Sequence, residues 1–360
     1  MNSKFRVLRV AVGGLAAFAF VACSEAPTLP TTVDPVAMQA DVDAVEAAFS
    51  APVTASFTSF EVGLAIDNAM AAAGGAAVRY QLPAMMLAEG PVRPLERLRH
   101  QIRDAALSPT ADLMPLTALG KTFEYNTTSD EYEPTARPGA PATGVRFILY
   151  TTDGDGLIIE PLVEVGYVDL TRSSVDNKVT GRAEIYGLGG TKVMDYTITI
   201  GGTTNFPTFS VVGFAGVGVN QVTFNLATGY SLVTQNVTIN WRTDMVARGL
   251  SSRVQLAIGG GPNPQYTLGA VMRNGLRKVE IGGTGVVQGA GDFTVKVGNR
   301  VFALVEVDAL GNVTITDPNG GPLSPADELT MFRIFIWFEA ALYVPDALLG
   351  PLFVILDIDI

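Results

Sequence analysis

Very few side chains in this sequence have the types and spacing that catalysis or metal binding would need. The only histidine among 360 residues is His100, and a Ser-His-Asp triad or a histidine metal site would have to be built on it. Arg99, Gln101 and Arg103 surround it in a stretch that predicts an exposed helix. We therefore expect a solvated surface histidine, and we assign no catalytic residue, no metal ligand and no cofactor.

Two glycine-containing stretches have only a superficial similarity to phosphate-binding loops. LGKT at 119–122 ends like such a loop, but the glycine required five residues before Gly120 is replaced by Pro115. The run GGTGVVQGAG at 282–291 follows a strand-like segment, as a dinucleotide-binding turn does. A helix must come next for its N-terminus to meet the pyrophosphate, whereas DFTVKVG predicts another strand. We therefore predict a hairpin at 282–291.

The short acidic stretch DGDG at 153–156 has two readings. Asp153 and Asp155, with Glu160 close by, could contribute to a calcium site. An EF-hand loop needs a third ligand position before its glycine, and this stretch does not provide one. A type I′ turn is the favoured interpretation.

The only cysteine, Cys23, follows a segment with the layout of a secretory signal. Lys4, Arg6 and Arg9 come first without any acidic residue, and residues 10–22 are apolar or small. Thirteen such residues are too few to span a bilayer, which takes about 20. We therefore predict a signal peptide over residues 1–22. With a single cysteine, an internal disulfide is excluded.

The residues before the cysteine, Phe20-Val21-Ala22-Cys23, resemble the lipobox of bacterial lipoproteins, with Phe20 where family members usually have Leu. The resemblance implies cleavage before Cys23 and acylation of that residue, hence a membrane partner through the lipid anchor. Ser24 stands where the family's inner-membrane retention signal has Asp, so the resemblance favours the outer membrane of the cell envelope. Residues 23–34 then form a tether. The alternative is a plain secreted protein whose cysteine falls near the cleavage site.

The composition indicates a folded, acidic body. Hydrophobic residues make up 48% of the chain and charged residues only 16%, which excludes disorder. Without residues 1–22, which hold three of the 24 basic residues and no acidic one, 21 basic and 35 acidic residues leave a net charge of −14. That sign argues against a nucleic-acid partner and against anionic lipid.

Helical patterns fill the region 35–120. Asp34 can cap a helix with Pro35 in its first turn, and Met38, Val42, Val45 and Phe49 would form its apolar face. Further helices are predicted near 57–73 and over 94–107.

From about residue 121 to 316 the pattern changes to period two, with apolar residues alternating with Thr and Asn. This alternation predicts antiparallel strands with one wet face, and the turn signals separate roughly a dozen of them. We therefore expect an α+β fold in which an antiparallel β domain with a C-terminal helix occupies 121–360. The strands would form a long meander, either a half-barrel or a sandwich. This architecture is similar to that of the half-barrel carriers of lipids and lipoproteins.

The C-terminal helix, residues 324–344, begins with Ser324-Pro325-Ala326-Asp327, a capping box with a first-turn proline. Apolar side chains follow on almost all sides, which predicts a helix buried on all sides in the core. A membrane-inserting or partner-binding helix is the alternative. Trp337, Phe335 and Phe338 are the residues that we expect to contact a ligand held against the sheet.

Two functions from different classes remain. The first is an envelope lipoprotein that holds a hydrophobic small molecule, lipid or acyl chain in a curved sheet. The second is a non-enzymatic structural or surface-interaction lipoprotein with a filled core. An enzyme is the least favoured reading.

Overall fold

The described chain is mostly β. The computed structural model describes residues 34–59, 116–153, 156–175, 178–203, 205–260, 263–287 and 289–338. Within these ranges, fifteen strands form one sheet that does not close on itself, and three helices accompany it. The predicted α+β class with a β-rich body is confirmed at this level.

Two of the three described helices precede the sheet and the third follows it: α1 (Pro35–Ala48), α2 (Pro52–Thr58) and α3 (325–338). The strands are β1 (Thr122–Asn126), β2 (Glu131–Thr135), β3 (Gly144–Tyr150), β4 (Glu164–Val175), β5 (Lys178–Gly187), β6 (Lys192–Thr203), β7 (Phe206–Ala215), β8 (Val222–Tyr230), β9 (Val237–Met245), β10 (Leu250–Ile258), β11 (Gln265–Asn274), β12 (Arg277–Val286), β13 (Gly291–Val297), β14 (Arg300–Val307) and β15 (Val313–Thr316). They begin and end where the period-two pattern does.

The order of the strands in the sheet follows their order in the chain from β3 to β15, and each of these neighbours is antiparallel to the next. At the other edge β1 lies between β3 and β2. The pair β1–β3 is parallel, through Thr122 opposite Arg146 and Phe123 opposite Phe147. The prediction of antiparallel pairing is therefore wrong for this pair. The stretch 127–143, which includes β2, returns the chain to the same end before β3 begins.

One face of the sheet is apolar and buried in all strands except the edge strands β2 and β15. In β8 the residues Val222, Phe224 and Leu226 are buried, while Thr223 and Asn225 are exposed. Strands β9 to β11, β13 and β14 have the same alternation. Because successive strand side chains point to opposite faces, this pattern gives a core face and an outer, polar face.

Helix α1 forms as its sequence predicts. Asp34 accepts a hydrogen bond from the backbone N–H of Val36 at 3.0 Å, and Pro35 occupies the first turn. The predicted apolar face is buried, from Met38 to Phe49. The helix predicted near 57–73 falls mostly outside the described residues, since α2 ends at Thr58, and 94–107 lies entirely outside them.

The two N-terminal helices lie against the sheet at the end formed by the β7–β8, β9–β10 and β11–β12 turns. Gly216, in the β7–β8 turn, has φ +80°, and a Cβ there would lie 2.9 Å from Ala48 Cα. A Cβ at Gly166 of β4 would lie 2.7 Å from Val53 Cγ2 on α2. Neither position leaves room for a Cβ atom, so the two glycines allow Ala48 and Val53 of the helices to approach the strands closely.

Helix α3 has the predicted capping box. Ser324 Oγ accepts the backbone N–H of Asp327 at 3.2 Å and donates to its carboxylate at 2.6 Å. Met331, Ile334, Phe335, Trp337 and Phe338 are buried in the core, but Leu329 is 51% exposed. The prediction of burial on all sides is therefore wrong for the first turns, because only the stripe at steps of three and four faces the sheet.

Candidate functional site

The three aromatic residues predicted to contact a ligand lie within a single turn of α3. Phe335, Trp337 and Phe338 belong to one continuous hydrophobic cluster that also contains the buried side chains of the sheet. Each is almost completely removed from solvent. The structure thus brings the predicted residues together in the core, and their contact with a ligand stays a prediction.

A polar contact joins α3 to α1 at the edge of this cluster. Arg333 Nη1 donates a hydrogen bond to Gln39 Oε1, and the guanidinium lies 5.9 Å from the ring centroid of Phe332. Arg333 Nε is buried, and no hydrogen-bond partner for it occurs in the described part of the chain. This half-buried arginine therefore fixes the two helices to each other.

A network of ion pairs lies on the outer face of strands β3 to β6. In register, Asp169 of β4 is opposite Glu184 of β5, which is opposite Asp195 of β6. Like charges directly opposite each other on neighbouring strands destabilise a sheet. Three carboxylates in a row therefore require cations beside them.

Arg146 neutralises the first carboxylate of the row. Its Nε and Nη2 atoms donate to the two carboxylate oxygens of Asp169, each at 2.7 Å. The guanidinium also stacks over the ring of Tyr167, 3.8 Å from its centroid. Hydrogen bonds from Arg146 to Asp169, opposed by partial burial, raise the pKa of Arg146. The planar fork of arginine matches both oxygens, a geometry that lysine cannot reproduce.

Arg182 and Lys192 neutralise the other two carboxylates. Arg182 donates to both oxygens of Asp195, at 2.9 and 2.6 Å. Lys192 Nζ lies between Glu184 and Asp195, 2.8 Å from the latter. Burial alone would raise the pKa of Asp195, but the hydrogen bonds from Arg182 and Lys192 outweigh it and lower that pKa.

The charged row has the electrostatics of a structural cluster. A general acid or base works best when its pKa lies near the working pH. Asp195 has a lowered pKa and both arginines have raised ones, so all three stay ionised at neutral pH. Sequence reasoning missed this row because its members are opposite each other only once the register is known. The alternation of apolar and polar residues in 164–170 and 182–186 is the signal that could have indicated the outer face for these side chains.

Helix α1 itself carries the one carboxylate residue that is buried among the described residues. Asp41 accepts hydrogen bonds from Asn274 Nδ2 and, at 3.0 Å, from Arg277 Nη1, and these partners flank the β11–β12 turn. Burial raises the pKa of Asp41 and outweighs the opposite effect of Asn274 and Arg277. Because Asn274 and Arg277 both contact it, this carboxylate holds α1 on the end of the sheet.

The other predicted features are placed as follows. Asp153 accepts a hydrogen bond from the backbone N–H of Leu157 at 3.0 Å and closes the turn, while Asp155 lies outside the described residues.

Residues 282–291 join β12 to β13 as the predicted hairpin, with Val286 N–H donating to the Ala290 carbonyl. After Gly120 the chain enters β1 without a helix. Within the described ranges, no cluster of three or more His, Cys, Asp or Glu residues could hold a metal ion.

Cys23 and His100 both lie outside the described residues, so lipidation of Cys23 stays a prediction. No helix within the described part of the chain combines the length and apolar character that crossing a membrane requires. Comparisons with models of protein families, with curated proteins and with solved structures found no match for this chain. Any function must therefore be argued from the residues and contacts above.

Proposed function

We propose that the protein is a lipoprotein of the cell envelope, anchored in the outer membrane through Cys23, whose body is a non-enzymatic structural and surface-interaction module with a filled core. The lipobox-like residues Phe20 to Cys23 support the anchor. The packing of the apolar face of the sheet supports the filled core, and the pairing of the charged row supports a body without acid–base chemistry.

The proposal includes a sheet that curls around its apolar face as a half-barrel. Asp41 of α1 contacts β12, and Val53 of α2 contacts β4. The chain between these two residues, which comprises parts of both helices and their link, spans at most about 25 Å. Eight strand spacings separate β12 from β4, which is about 38 Å in a flat sheet. Open sheets of more than about ten strands tend to curl, and curling shortens the distance that the two helices have to span.

The observation that carries the filled core is the packing of aromatic rings over inward-facing glycines. A Cβ at Gly283 would lie 2.6 Å from Phe293 Cδ1, and a Cβ at Gly285 would lie 2.7 Å from Tyr266 Cζ. At these positions there is no room even for a methyl group, so side chains of the protein itself already fill the space.

Lipidation is tested by mass spectrometry of the protein purified from its own membrane. The wild-type chain should begin at Cys23 and carry acyl chains, and Cys23→Ser should move the protein to the soluble fraction. Two or three acyl chains, at about 0.8 kcal/mol per buried methylene, give stable anchoring. An unmodified wild-type cysteine would refute the anchor.

The filled core is tested by the fluorescence of Trp337 in a Trp241→Phe background. Trp241 stacks on Phe224 at 6.1 Å between centroids, so phenylalanine preserves most of that contact. Fatty acid or lysophospholipid, added below its micelle concentration, should leave the emission and the melting temperature unchanged. The reciprocal variant Trp337→Phe is the control for changes at Trp241. A saturable shift of the emission together with a higher melting temperature would refute the filled core and support a carrier of hydrophobic ligands.

A further inference from the structure

Charge is segregated between the two ends of strands β9 to β15. We define the basic rim as the three segments around the β9–β10, β11–β12 and β13–β14 turns, residues 242–253, 271–280 and 296–300. We define the acidic rim as the segments at the opposite end, residues 255–269, 282–294 and 304–312. The basic rim carries Arg242, Arg248, Arg253, Arg273, Arg277, Lys278, Lys296 and Arg300 against Asp244 and Glu280. The acidic rim carries Asp292, Glu306 and Asp308 and no basic residue.

Half of the cations of the basic rim are available for a partner. Three have carboxylate partners in the pairs Arg242–Asp244, Lys278–Glu280 and Arg277–Asp41, and Arg248 donates to Asn220. The remaining four are exposed and form no ion pair with any described residue: Arg253, Arg273, Lys296 and Arg300. Exposed cations without partners keep their full charge for a ligand.

The net negative charge of the chain does not prevent an anion from binding at this rim. Strand β10 has nine residues, so the turns at its two ends lie about 30 Å apart, and the nearest opposite charges on one strand, Lys296 and Asp292 of β13, are separated by four residues, about 13 Å. The Debye length at physiological ionic strength is about 8 Å. An anionic surface against the basic rim is therefore largely screened from the acidic rim. Helix α1 lies at the same end and adds Asp34, Asp41, Asp43 and Glu46 to Asp244 and Glu280, so the eight cations leave a local excess of two positive charges.

The basic rim is also the end of the sheet at which the proposed anchor enters. Asp41 binds Arg277 and Asn274 at the β11–β12 turn, and Asp34 precedes it by seven helical residues, about 10 Å. The eleven residues from Cys23 to Asp34 reach at most about 36 Å. A membrane that holds the acyl group therefore lies within reach of this rim.

The turn tips of the rim add exposed aliphatic side chains. Val246 is 83% exposed and Leu276 is 52% exposed. Aliphatic residues beside Lys and Arg are typical of surfaces that bind at the headgroup level. Leu310 is exposed at the acidic rim as well, so charge is what distinguishes the two ends.

We propose that the basic rim docks on the anionic phospholipid headgroups of the membrane that holds the Cys23 anchor. This inference rests on the proposed lipoprotein function. Docking would orient the sheet with its acidic rim away from the bilayer and would leave the outer face of β3 to β6 accessible to other partners.

The test uses the mature chain from residue 23 with Cys23→Ser, so that binding to vesicles comes from the folded body alone. We expect it to sediment with phosphatidylcholine vesicles that contain about a third phosphatidylglycerol, and not with phosphatidylcholine alone. Binding should weaken strongly between about 50 and 300 mM salt. Absence of binding to the anionic vesicles at the lower salt concentration would overturn the proposal.

Two pairs of substitutions localise the surface. Lys296→Gln with Arg300→Gln removes two cations of the basic rim, and Lys121→Gln with Lys178→Gln removes two exposed cations at the opposite end of strands β3 to β5. At about 1 kcal/mol for each cation at the membrane surface, the first pair should weaken binding about 30-fold and the second should leave it unchanged. Melting temperatures establish that both variants fold.

Each remaining result has a distinct meaning. Equal losses from the two pairs would overturn the assignment to this rim, and so would binding to duplex DNA without binding to vesicles. Acylation of Cys23 in the wild-type chain is read separately by mass spectrometry. If the wild-type chain is not acylated but the body binds anionic vesicles through the basic rim, the anchor is refuted and the basic rim is supported. If the wild-type chain is acylated but the body does not bind anionic vesicles, the anchor is supported and the basic rim is refuted.

Discussion

The outer face of β3 to β6 and the basic rim of β9 to β14 both carry several cations, but their surroundings differ. In the first region Arg146, Arg182 and Lys192 each contact a carboxylate within 3 Å. In the second region Arg253 and Lys296 are exposed and have no ion-pair partner among the described residues. The two regions use the same residue types for different purposes.

This difference shows which charged side chains contribute to the stability of the fold. The carboxylate row of Asp169, Glu184 and Asp195 would repel itself without its cations, so removing one partner exposes the others to like charge. An exposed cation without a partner contributes little to stability. The charges that the fold does not use are therefore the ones that a membrane or another partner can use.

The largest expected effect comes from breaking the pair between Arg146 and Asp169. Asp169→Asn removes the charge from a two-bond pair whose side chains are only 17% and 13% exposed, and it leaves the arginine without a counter-ion. We expect the free energy of unfolding to fall by about 2 kcal/mol, since hydrogen bonds to charged groups contribute about 1.5 to 3 kcal/mol. Denaturant titration measures it.

The matched control for this prediction is Arg253→Gln on the basic rim, which should change stability by less than about 0.5 kcal/mol. If the two variants lose equal stability, the distinction between paired and unpaired cations does not hold.

A smaller effect is expected from acid at Asp195. Its pKa is lowered in the folded state, so its contribution is fully present above the unfolded pKa, about 3.9, and is lost as the pH falls through the folded pKa. Asp195→Asn should therefore cost about 1 kcal/mol at neutral pH and become similar to wild type near pH 2. Stability that differs by the same amount at both pH values would contradict the role of ionisation.

The smallest effect concerns Asp41, whose pKa shifts in the opposite direction. Burial raises it in the folded state, so stability is greatest below the unfolded pKa and decreases as the pH rises through the folded pKa. The variant Asp41→Asn has no ionisable group at this position, so its stability should not show this decrease with pH. The wild type should thus lose stability relative to the variant as the pH rises from about 3 to neutral, and a gain over that range would show that the contact with Arg277 dominates over burial.

Much of the local structure could be predicted from the sequence. The N-cap at Asp34, the capping box at Ser324, the hairpin at 282–291 and the limits of the strand region depend on residues close together in the chain. Predictions from local sequence were wrong where contacts between distant parts of the chain determine the structure. These are the parallel pairing of β1 with β3 and the exposure of Leu329, because the core covers only one side of α3. The candidate ligand residues of α3 were found together, while the charged row was missed.

By itself, the sequence determined the helix caps, the alternation that makes one face apolar, the net negative charge and the resemblance of residues 20–23 to a lipobox. Only the tertiary structure decided which charges are neighbours. Asp169, Glu184 and Asp195 form a row because the register of three strands places them opposite each other. The basic rim exists because successive turns return to the same end of the sheet. Coulomb interaction depends on distance in space, and a net charge counted along the chain contains no distances.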